Sequence, residues 1–83
     1  MFHKIEKVKP LNNYILEITF QDNTIKYYDV STLFEKWHVF QNLMTEKGLF
    51  EQVQVDKGGY GISWNDEIDL SCNELWENGT TKT

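Results

Sequence analysis

The chain has 83 residues, 40% of them apolar and 25% charged, with a formal net charge of -5. That is one domain's worth of chain, too hydrophobic for a disordered segment, and its longest uncharged run, Trp37 to Thr45, is nine residues where a bilayer span needs about 20. A single cysteine excludes an internal disulfide, and two histidines with one cysteine cannot supply a structural zinc site.

Residues Phe2 to Val8 read as a strand, although Ile5 and Val8 differ in parity, and Pro10 suits its exit. Residues 13 to 20 alternate strictly, with Tyr14, Leu16, Ile18 and Phe20 on one face and Ile15, Glu17 and Thr19 on the other, the period of a half-buried strand. Asp22-Asn23 tolerates positive φ, so a two-residue hairpin turn is expected there, leading into a strand over Ile25 to Val30.

From Thr32 the period changes. Leu33, Trp37, Phe40 and Met44 fall on one helical stripe, Thr32 and Glu35 fit a capping box, and Gly48 suits a left-handed close. Val39 and its neighbours allow this segment to be two helices in place of one. A second hairpin is expected from Gln52 to Trp64, with Val53 and Val55 inward, Lys57-Gly58-Gly59 as the loop, and Tyr60, Ile62 and Trp64 on one face. Ser71 and Glu74 form a second capping-box pattern, bracketed by Leu70 and Leu75, so a helix should start at Cys72 and end near Asn78-Gly79. Residues 80–83 carry no periodic apolar residue and are expected to fray, leaving residues 1–79 as a single α+β domain. The order is β-β-β-α-β-β-α, an antiparallel sheet with helices packed on one face.

The pattern of Lys9-Pro10-Leu11, Tyr14 to Phe20, Asp22-Asn23, Asp29, Phe40-Gln41-Asn42-Leu43, Phe50, Val53 to Asp56, Ile62-Ser63-Trp64, Asp69-Leu70 and Leu75-Trp76 resembles a bacterial family of small domains, the domain of unknown function 2442. The resemblance spans residues 4 to 79. Asn65, Glu67 and Cys72 stand where that family commonly has proline, glycine and proline. The resemblance implies an α+β domain, found alone or joined to a helix-turn-helix segment, some members accompanying small toxin-like partners. It implies no catalytic residue, and no helix-turn-helix addition is expected within these 83 residues.

Charge narrows the functional classes. Residues 51–79 hold seven acids against Lys57, and all eight cations are lysines. A chain without arginine lacks the planar fork that reads guanine edges, and an acidic chain repels phosphate, so direct nucleic-acid binding is not expected. No cofactor or metal site is expected either. Asp66, Glu67, Asp69 and Glu74 are the densest polar cluster, but they lack calcium-loop spacing and read as a solvated turn and a helix cap. Cys72 has no histidine near it in sequence, His3 and His38 are isolated, and Gly58-Gly59-Tyr60-Gly61 lacks the lysine and helix of a phosphate loop.

The strand periods place Leu16, Ile18, Phe20, Ile25, Tyr27, Trp37, Phe40, Val53, Val55, Ile62 and Trp64 in the core. They leave Ile15 and Tyr28, beside Lys26, on the opposite sheet face. A non-catalytic interaction domain follows, cytoplasmic, docking another protein or a second copy of itself through that face. The alternatives are an antitoxin-like regulatory partner associated with nucleic acid through another protein, and an enzyme using the acidic 66–74 segment.

Overall fold

A computed structural model describes residues 2–81. Three antiparallel strands, β1 (Ile5–Pro10), β2 (Ile15–Phe20) and β3 (Ile25–Asp29), form a first sheet in the order β1-β2-β3. The parity conflict in β1 resolves through a bulge between Ile5 and Lys7. One extra residue lets Ile5 pair with Phe20 and Val8 with Ile18, so both turn to the same face. The β1–β2 connection passes through Asn13 and Tyr14, both at positive φ (64° and 61°). Tyr14 therefore does not extend the strand; its ring is held edge-on by Phe34 and Phe50 at 5.3 and 5.2 Å.

The β2–β3 hairpin forms where the sequence places it, but its loop is one residue longer than the expected turn. Phe20 and Thr24 flank Gln21-Asp22-Asn23, the Asn23 amide donates to the Phe20 carbonyl (2.9 Å), and Asn23 takes the left-handed conformation at φ 71°. The Thr24 amide donates to Asp22 Oδ1 at 3.0 Å, which holds the Asp22 carboxyl below its ordinary pKa. The two-residue turn would set Phe20 opposite Ile25; the observed register sets Thr19 there and Leu16 opposite Tyr28. A slip of one residue exchanges the faces of a strand. Tyr28 is accordingly buried with Leu16 and Ile18, while Ile25, expected in the core, is exposed and Tyr27 is only partly covered on the outer face.

The segment expected to be helical is broken into turns. A 3-10 turn over Val30–Leu33 is capped by Asp29, whose Oδ1 accepts from the Ser31 amide at 3.0 Å. The Thr32 hydroxyl donates to the Asp29 carbonyl (2.9 Å), so no capping box forms with Glu35. Trp37 is extended, at φ -127° and ψ 106°, and a second 3-10 turn over His38–Gln41 leads into the single α-turn α1 (Asn42–Thr45). Gln41 Nε2 donates to the Phe34 carbonyl at 2.9 Å, bridging the break. Leu33 and Phe40 of the expected stripe are buried, whereas Trp37 and Met44 face solvent.

A second three-stranded sheet follows, β4 (Gln54–Val55), β5 (Gly61–Ser63) and β6 (Asp69–Ser71), antiparallel in that order. The Lys57–Gly59 turn joins β4 to β5 as expected, with Gly58 and Gly59 at φ 84° and 81°. Strand β6 has no counterpart in the expected order. Its three residues contain one apolar side chain, too short a run for a period to show. The second helix, α2, runs Cys72–Asn78 behind an N-cap at Ser71, whose hydroxyl accepts the Glu74 amide at 3.1 Å.

One apolar cluster joins both sheets and α2, including Ile5, Leu16, Ile18, Phe20, Ile62, Ile68 and Leu75. Trp64 and Phe50 close its far end, where the Trp64 indole donates to the Phe50 carbonyl at 3.0 Å. The architecture is α+β, with its strands divided between two sheets. Residue 80, expected to fray, is tied down: the Tyr27 amide donates to the Thr80 carbonyl (2.6 Å) and the Thr80 amide to the Tyr27 carbonyl (2.8 Å). Lys82 and Thr83, the last of the expected fraying residues, lie outside the described residues. No helix among the described residues is long and apolar enough to cross a membrane.

Candidate functional site

The residues proposed from sequence as one surface are divided between the two faces of the first sheet, although Ile15 and Tyr28 both reach one cleft at its margin. Ile15 is half-buried on the outer face of the first sheet, whose other occupants are Lys7, Lys9, Glu17, Thr19, Ile25, Tyr27 and Asp29. Tyr28 lies on the inner face because of the register change just described. Lys26 shares that inner side, where its ammonium sits 4.2 Å from the centre of the Trp76 ring and donates to the Trp76 carbonyl. His3 stacks on the same indole at 3.5 Å and Phe20 meets it edge-on at 4.9 Å, so Trp76 is a packing hub.

Of the acidic cluster, Asp66 and Glu67 lie in the turn between β5 and β6. Asn65 Oδ1 shapes that turn by accepting the Glu67 and Ile68 amides at 2.9 and 3.0 Å. Asp69 is exposed on β6. Among the described residues no three His, Cys, Asp or Glu side chains are grouped to hold a metal ion. Cys72 is buried in the core and His38 is exposed, and Gly59 is fixed against the backbone of Ile5.

Glu74 has a more specific role than a cap. Its carboxylate Oε2 accepts the Tyr28 hydroxyl at 2.7 Å, tying α2 to β3 across 46 residues of sequence. Ser71 thus caps the Glu74 amide without the reciprocal carboxylate bond of a full capping box. Tyr28 and Glu74 line a cleft of about 390 Å³ with Ile15, Asp29, Lys36 and Asn78. Burial, the Glu74 hydrogen bond and charge, and the charge of Asp29 all raise the Tyr28 pKa. The phenol is thereby held as a neutral donor, not poised as a base or nucleophile.

A phenol whose folded-state pKa lies above its unfolded value of about 10 contributes its full stability below that pH and loses it as pH rises toward the folded value. The native chain should therefore lose stability as urea unfolding is repeated above pH 10. Tyr28→Phe should flatten that slope and cost about 1.5 kcal/mol at neutral pH, the worth of a hydrogen bond to a charged group. A residual slope is expected from Tyr27, whose pKa is also raised, by burial and by Glu17, the carboxylate its hydroxyl meets at 3.2 Å. An unchanged alkaline slope in Tyr28→Phe would show that the pair is not formed in solution.

A second groove, about 460 Å³, separates β6 from the turns of residues 33–40. Leu33, Trp37, Val39 and Phe40 form one wall, and Glu67, Asp69, Leu70, Ser71 and Glu74 the other, with Lys36 at the rim. Trp37 is 58% exposed, the highest value among the exposed large apolar side chains of the described residues. Helical spacing hid it, because a stripe assigns position 37 to the core only if the backbone stays helical through it.

These two small antiparallel sheets, held together by short turns and one two-turn helix, define a small α+β domain. The chain belongs to the family described as a protein of unknown function (DUF2442), which matches residues 5–81. No curated protein and no solved structure matches it.

Proposed function

We propose that this chain is a non-catalytic protein-interaction domain of the cytoplasm, and that the groove between Trp37 and β6 is where its partner docks. The observation that carries this reading is the indole of Trp37, held out of the core on an extended residue beside an uncovered strand. Burying a large aromatic side chain contributes more binding energy per residue than most contacts, and tryptophan is enriched where partners dock. The polar groups of the cleft on the other side of Glu74 fit a structural role, since Tyr28 and Glu74 already satisfy each other. The lone thiol of Cys72, buried and unpaired, suits a reducing compartment.

The test is a photo-crosslinking amino acid at position 36, in the groove lining beside Trp37, in the native host, with position 25 on the outer sheet face as a control. A defined protein, identified by mass spectrometry, should be captured from position 36 and not from position 25. Equal capture from both positions, or none from position 36, overturns the reading. Trp37→Ala should change folding stability by no more than about 0.5 kcal/mol, as for exposed sites, so capture from position 36 that persists undiminished in a Trp37→Ala background also overturns it.

A further inference from the structure

The groove also states what kind of partner fits it, an inference that rests on the interaction reading. In the β5–β6 ladder, the Trp64 amide donates to the Ile68 carbonyl (2.9 Å) and the Cys72 amide to the Tyr60 carbonyl (2.8 Å). Hydrogen-bonded positions alternate in an antiparallel pair, so Leu70 faces β5 with its main chain while Asp69 and Ser71 direct theirs to the open edge. The reciprocal half of the Ser71 capping box would have used the Ser71 amide. Because Glu74 is engaged by Tyr28, that amide is left for another acceptor.

We propose that an extended, lysine- or arginine-bearing segment of another protein adds to the Asp69–Ser71 edge as a fourth strand. Main-chain bonds to Asp69 and Ser71 supply the pairing, and an apolar side chain rests against Trp37. The charge of the site selects the segment. Glu67, Asp69 and Glu74 face the groove against Lys36, within a stretch that holds seven acids and one lysine over residues 51–79. Cations on the incoming strand are attracted, and acidic or phosphorylated segments are repelled. A second copy of this chain is a poorer occupant, since it carries the same net charge of -5 to an acidic edge. Three residues of edge allow only a few main-chain bonds, which places the affinity at about micromolar or weaker.

The probe is a short acetylated peptide alternating lysine and valine, titrated into the isotopically labelled intact chain and followed by amide NMR. Shifts should concentrate at the Asp69, Leu70 and Ser71 amides and the Trp37 indole, saturate, and weaken severalfold between low and physiological salt. The glutamate-for-lysine analogue should not bind. N-methylation at alternate residues of the peptide, which removes its strand-edge donors, should weaken binding at least about tenfold. Equal binding by either analogue, shifts scattered over other surfaces, or no shift at all overturns the proposal. Shifts at the same amides on concentrating the protein alone also overturn it, in favour of a second copy. A protein captured from position 36 in cells, with these amides unmoved by the basic peptide, leaves the interaction reading standing and removes the basic strand.

Discussion

Gly59→Ala is expected to be among the most damaging single substitutions in this chain, lowering unfolding stability by about 3 kcal/mol or more. Two effects add. Gly59 sits at φ 81°, where a side-chain-bearing residue is strained, and a Cβ there would lie 2.6 Å from the Ile5 carbonyl oxygen and 3.1 Å from the Ile5 nitrogen. Both contacts are backbone, in the bulged strand that starts the first sheet, so neither can swing aside. Gly58 is the internal control. Its φ is similar, at 84°, but its Cβ would meet only the Tyr60 ring, an exposed side chain packed by Phe2 and Lys4 that can shift where backbone cannot. Gly58→Ala should cost about 1 kcal/mol, as backbone strain alone predicts. A domain of this size has roughly 4–12 kcal/mol in all, so urea unfolding followed by tryptophan fluorescence will separate the two variants. Equal losses would mean that the turn does not abut β1.

Phe20→Ala should cost about 3–5 kcal/mol, the range for removing a fully buried ring. Phe20 is 1% exposed, pairs with Ile5 across the first sheet, and meets Trp76 edge-on at 4.9 Å. Its loss therefore opens a cavity where the first sheet meets α2 and loosens the indole that His3 and Lys26 cover. Ile25→Ala, five residues further on and on the outer face, should change stability by no more than about 0.5 kcal/mol. The contrast tests the hairpin register itself. If β3 had the register of a two-residue turn, Ile25 would be the core residue opposite Phe20, and its truncation would be the costly one.

That register is where sequence reading met its limit. Alternation in β2 identified Leu16, Ile18 and Phe20 as core residues, because a strand's inner face is written in its own residues. The inner face of β3 is not written there: Ile25, Tyr27 and Tyr28 offer apolar candidates at both parities, and only the loop decides between them. A left-handed Asn23 and one added loop residue moved Tyr28 inward and Tyr27 outward. The segment from Thr32 shows a related limit. Leu33, Trp37, Phe40 and Met44 fit a helix, yet Asp29 takes the Thr32 hydroxyl, Gln41 bridges to Phe34, and the chain extends at Trp37. Helical spacing is only meaningful where the backbone remains helical, so the exposed indole was invisible until the turns were seen. By contrast, the N-cap at Ser71 and the glycine turn at Gly58-Gly59 are local devices, settled by neighbouring residues, and both formed where the sequence places them. The family, too, was legible, since its pattern runs through residues that the core uses.

The pairing of Thr80 with Tyr27 gives the two sheet margins unequal fates. Midway along β3, the main-chain groups that a foreign strand would seek are already taken by Thr80 of the same chain. Fibrous stacking of identical molecules requires each unit to present both a donor margin and a receiving one. With the β3 margin plugged at its middle, the first sheet cannot grow through that strand, so crowding in the cell cannot string identical molecules into filaments by that route.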